Sequence, residues 1–153
     1  MEKMRDLQLD LGVKKIAIKD EDGDVITVLR VNIADASTAN RFGGIIKRLE
    51  VMAEECRKES EEWEKQHGDA PMSANDIISL NEIRLKYINN IIGEIDGLFG
   101  VGTIANIYGA DVVPDEDALS DFIGGVIPVM SDMFNQRYEM YRKKYNSNRT
   151  GAK

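Results

Sequence analysis

Between Ile77 and Phe99 the chain carries Ile77, Ile78, Leu80, Ile83, Leu85, Tyr87, Ile88, Ile91, Ile92, Ile95, Leu98 and Phe99 with no proline. Helical spacing with several apolar faces, in place of a single stripe, predicts a helix that other elements cover on more than one side. Any fold for this chain has to be built around it. Ser73 is placed to cap its start, and Gly97, Gly100 and Gly102 loosen its end.

Ahead of this segment, Phe42, Ile45, Ile46, Leu49, Met52, Ala53 and Cys56 recur at steps of three and four. That spacing puts them on one stripe of a preceding helix, for which Asp35 and Ser37 are N-cap candidates. Beyond Cys56 this helix turns charged, and Trp63 is its only large apolar residue before Gly68 and Pro71 end it. The charged half must project into water or meet a partner. Earlier still, residues 14–19 and 25–31 are β-rich runs on either side of an Asp-Gly turn, which predicts a hairpin at about 14–31. An isolated hairpin is marginal, so it must pack on helices.

After the central segment, Thr103 to Tyr108 reads as a short helix closed by Gly109. Asp115, Glu116 and Asp117 then complement the dipole of a last helix carrying Phe122, Val126, Met130, Met133, Phe134, Tyr138, Tyr141 and Tyr145. Pro128 is expected to kink or interrupt it. The expected fold is therefore α+β and mainly α, an N-terminal hairpin packed on three long helices and one short one. One domain spans 1–145, with 146–153 as a flexible basic tail.

The chain has 153 residues, enough for a core without staples, and is 42% hydrophobic and 31% charged. A net charge of -7 argues against sequence-independent binding of nucleic acid. Arg137, Arg142, Lys143, Lys144, Arg149 and Lys153 make the C-terminal end basic, either to solubilise it or to bind. No apolar run reaches membrane-spanning length and the start lacks a signal-peptide core, so a cytoplasmic location is expected. The single cysteine, Cys56, leaves no intrachain disulfide and fits a reducing compartment.

Catalytic signals are weak. His67 is the only histidine and lies in a charged helix end, so no triad assembles, and Cys56 with His67 supplies too few ligands for zinc. Asp20-Glu21-Asp22-Gly23-Asp24 superficially resembles a calcium loop, but counting from Asp20 the required glycine and glutamate positions hold Val25 and Val31. It reads as an acidic hairpin turn. Gly100-Val101-Gly102 follows a helix and precedes no P-loop lysine, so it reads as a helix break. Asp96, among Ile92, Ile95, Leu98 and Phe99, either marks function or satisfies backbone donors. No cofactor motif is present. The reading is a non-enzymatic protein that holds other chains.

Asp35 with Phe42, Glu94 to Gly102 with Asp96, Gly100 and Gly102, then Tyr108-Gly109, and Phe122 with Pro128 occur in an order that resembles the small tail assembly chaperones of long-tailed bacteriophages. The resemblance runs from about residue 8 to about Tyr145. It implies a protein of the host cytoplasm that binds the tape measure protein and tail tube subunits during tail assembly, with self-association when no client is present. Some members of that family also have a frameshifted longer form. A long helical apolar client would aggregate unprotected, so its chaperone should offer apolar surface on an acidic body. Phe99, Tyr108, Tyr138 and Tyr141 are the candidate partner-binding residues, each of which core packing would also explain. Two other classes stay open, an acidic mimic of nucleic acid that blocks a DNA-binding protein and a small enzyme using a carboxylate pair.

Overall fold

A computed structural model describes residues 2–68 and 70–151, with residues 148–151 as backbone only. The expected α+β, mainly helical architecture is found. Strands β1 (Val13–Lys19) and β2 (Val25–Asn32) form an antiparallel hairpin, followed by α1 (Thr38–His67), α2 (Ala74–Phe99), the short α3 (Thr103–Tyr108) and α4 (Glu116–Gly151). At the turn, Asp20 Oδ1 accepts the amides of Asp22 at 2.9 Å and Asp24 at 3.0 Å. Gly23, at φ 83°, supplies the left-handed step. The acidic turn thus spends its first carboxylate on its own backbone.

Alternation covers one face of the hairpin as expected. Leu29 and Val31 are buried and Ile16 and Ile18 half-buried, whereas Val13, Val25, Ile26 and Val28 stay exposed. The inward residues join Phe42, Ile88, Ile95, Ile104, Leu119, Phe122, Val126 and Met130 in one core. Phe42 meets Phe134 with ring centroids 6.1 Å apart, and Phe99 meets Phe122 edge-on at 6.2 Å, so α4 is pinned to both α1 and α2.

Local chemistry sets the helix ends. Ser73 and Asp76 form a reciprocal capping box at the start of α2. At α1 Ser37, one of the two expected candidates, takes the N-cap position but makes no side-chain cap bond: its backbone is already helical, at φ -83° and ψ -15°, and its hydroxyl donates to Asp35 Oδ1 at 2.7 Å. Asp35 also accepts the Ser37 amide, closing the turn that leads into the helix. Gly68 ends α1 at φ 68°.

Of the kink or interruption expected at Pro128, the interruption is not found, since α4 runs through it. Gly124 and Pro128 both lie on the exposed side, so the carbonyl that loses its partner faces water, while Val126 and Met130 hold the opposite side in the core. Residues 146–151, expected as part of a flexible tail, continue the helix; extending a formed helix costs no new nucleation. The rest of that expected tail, 152–153, lies outside the described residues. Finally, the first turns of α2 are not covered on several sides: Ile77 and Ile78 are each more than half exposed, although Trp63 of α1 reaches Ser79 beside them.

Candidate partner-binding surface

Helices α1 and α2 are joined by polar contacts along their length. Arg41 donates to the Gly97 carbonyl at 2.7 Å, Arg48 to Glu94 at 2.8 Å, and Lys86 to Glu59 at 2.9 Å. The Tyr87 hydroxyl also donates to Glu59 at 2.6 Å. These bonds, from Tyr87 first and Lys86 second, hold the Glu59 carboxyl below its ordinary range, and the same contact raises the Tyr87 phenol. At the far end the Trp63 indole donates to Ser79 Oγ at 3.1 Å and stacks on His67 with centroids 3.9 Å apart. The charged half of α1 therefore meets α2 of its own chain.

Asp96 is structural. Its Oδ1 accepts the Ile104 amide at 3.0 Å and its Oδ2 the Gly102 amide at 3.4 Å, while its carbonyl accepts the Gly100 amide at 2.8 Å. Gly100 at φ 122° and Gly102 at φ 87° adopt backbone that other residues rarely take, and Gly109 at φ 111° closes α3. The segment from Asp96 to Gly109 is a tied corner that delivers the buried Ile104 to the core.

The four candidate partner-binding residues fall into two groups. Phe99 is half-buried against Phe122, and Tyr108 is half-buried with its hydroxyl donating to the Ala118 carbonyl at 2.9 Å. Burial, with the charges of Asp121 and Asp115, raises the Tyr108 phenol above its ordinary value. Tyr138 and Tyr141 are different, at 61% and 67% exposed, with Met140 between them at 65%. From Asn135 to Ser147 every residue of α4 is exposed. Tyr138, Met140 and Tyr141, with Tyr145 one turn further on, thus present large side chains to solvent beside Arg137, Arg142, Lys143 and Lys144.

Two concave features lie along the first half of α4. A small apolar pocket of about 130 Å³ lies between α1, α2 and α4, with Cys56 in its wall and the Arg84–Glu116 ion pair beside it. A larger groove of about 690 Å³ separates β1 from α4, with Tyr108, Phe122 and Val126 in its lining. The sequence reading missed this groove, because no local pattern reports that a strand and a helix 100 residues apart leave a gap. Among the described residues no group of three or more His, Cys, Asp or Glu is placed to hold a metal ion, and no helix is long and apolar enough to cross a membrane.

Comparison of the chain with protein-family models, with curated proteins and with solved structures gives no match.

Proposed function

We propose that the protein is a non-enzymatic assembly chaperone of the phage-tail type, which holds the tape measure protein and tail tube subunits in the host cytoplasm until they assemble. The observation that carries this reading is the end of α4, where Tyr138, Met140 and Tyr141 are exposed in a stretch whose every residue from Asn135 to Ser147 is exposed. Tyrosine and methionine give large, adaptable contact area, and apolar side chains left in water gain by covering a client of the same character. Flanking arginines and lysines keep the unoccupied surface in solution. The resemblance carried by Asp35, Phe42, Asp96, Gly100, Gly102, Gly109, Phe122 and Pro128 supports the same reading.

Co-expression with a tape measure protein, followed by a pull-down, tests it. The wild-type chain should retain the client and raise its soluble yield, and Tyr138→Ser with Tyr141→Ser should lose both effects while keeping the helical spectrum. Equal soluble client with and without the wild-type chain would sink the reading.

A further inference from the structure

Residues 2–11 precede β1 without regular structure, yet Leu7, Leu9 and Leu11 fall at every second position and are 81%, 64% and 66% exposed. That period belongs to a strand with one covered face. The arm cannot readily turn back on its own β1. Such a turn would need Gly12 and Val13 as its loop, and both are engaged: the Gly12 carbonyl accepts the Ile33 amide at 2.9 Å and Val13 pairs with Asn32. Gly12 is also fixed at φ 74°, so close to Ala34 that a Cβ would lie 2.4 Å from that side chain.

The same molecule holds an open receptor for such a segment. The sheet has two strands, so the far edge of β1 is unpaired. Because Gly12 bonds Ile33, the alternating pattern of an antiparallel ladder turns the backbone groups of Lys15 and Ala17 outward. That edge borders the groove of about 690 Å³ between β1 and α4.

We infer that the N-terminal arm of one molecule adds as an antiparallel third strand to the β1 edge of a second copy. Charge sets the register. With Leu9 opposite Ile16, Leu7 lies opposite Ile18, Asp10 opposite Lys15, Asp6 opposite Lys19 and Arg5 opposite Asp20. Opposed residues share a face, so Leu7 and Leu9 join Ile18 and Ile16 on the covered side while Asp10–Lys15 and Asp6–Lys19 pair on the other; Arg5 adds a third opposite charge beside Asp20, whose Oδ1 already accepts its own turn amides, and Leu11 comes opposite Lys14. Sliding the arm by two residues in one sense sets Asp6 against Glu21 and Leu7 against Asp20; in the other it sets Arg5 against Ile18 and loses the Asp10–Lys15 and Asp6–Lys19 pairs. A parallel arm with Leu9 at Ile16 loses all three charge pairs. Gln8 and Asp10 then exchange backbone bonds with Ala17 and Lys15, which removes the open edge. The inference does not rest on the client-binding reading, because Tyr138 and Tyr141 take no part in it.

Sedimentation equilibrium of the full chain over a wide concentration range tests it. The wild type should self-associate reversibly. Asp6→Lys or Lys19→Asp alone should weaken association about tenfold, and the two together should restore it. Ala17→Pro removes an outward amide that the hairpin does not use, so it should abolish association while leaving the thermal midpoint near that of the wild type. A chain that stays monomeric throughout overturns the inference, as does association indifferent to either charge reversal or not recovered in the double variant. Protection of the Gln8 and Asp10 amides from hydrogen exchange that does not change on dilution also overturns it, since the arm would then lie on its own chain.

Discussion

The Asp96 carboxylate accepts the Ile104 amide at 3.0 Å across the corner between α2 and α3, and Ile104 is 2% exposed. One carboxylate thus ties the end of α2 to the backbone of a residue whose side chain lies in the core. Asp96→Ala removes the acceptor for both the Ile104 and Gly102 amides and should lower unfolding stability by about 1–3 kcal/mol in urea titration. Asn at this position keeps one acceptor oxygen, so it should recover part of the loss.

Met130 is fully buried at 0% exposure, on the side of α4 opposite Pro128. Met130→Ala should cost about 2–5 kcal/mol, by lost transfer energy and the cavity left behind. Val129→Ala, one residue away and 38% exposed, should cost far less. Equal losses in paired denaturation curves would contradict the placement of α4.

The Trp63 indole donates to Ser79 Oγ at 3.1 Å and is the only tryptophan of the chain. Ser79→Ala should leave that indole without its protein partner and cost about 0.5–1.5 kcal/mol. Because Trp63 is only half-buried, its fluorescence should also shift toward that of a more hydrated indole. Hydrogen exchange should rise first at the start of α2, where Ile77 and Ile78 already meet water.

Arg84 donates to both carboxylate oxygens of Glu116, with Nε to Oε1 at 2.8 Å, and this bond holds the Glu116 carboxyl below its ordinary value of 4.5. A depressed carboxylate contributes stability that is present above its unfolded value and lost as pH falls through its lower folded value. The difference in melting midpoint between wild type and Glu116→Gln should therefore be full at neutral pH and vanish in strong acid. Both side chains are over two-fifths exposed, so the difference should also shrink in high salt.

Tyr138 and Tyr141 make no contact that the core depends on, so replacing both with Ser should change unfolding stability by about 0.5 kcal/mol or less per site. Phe99→Ser, beside Phe122, should cost several times more. Chemical denaturation of the three variants separates surface from core.

What the amino-acid sequence determined by itself was local. The alternation of Ile16, Ile18, Leu29 and Val31 specified the covered face of the hairpin, and Ser73 with Asp76 specified the start of α2. The glycines at 100, 102 and 109 specified a corner, since each needs backbone that a side chain resists. These signals act over a few residues, where sterics and hydrogen bonds decide.

Only the tertiary structure decided which apolar residues are covered. Ile88 and Ile77 belong to one pattern on one helix, yet Ile88 is 4% exposed and Ile77 57%, because α4 packs near the first and not the second. The same holds for the tyrosines: Tyr108 is bonded to Ala118, while Tyr138 lies past the last packed turn of α4. Helical spacing states that residues share a face. Whether that face meets water depends on elements distant in the chain, whose positions no local pattern records.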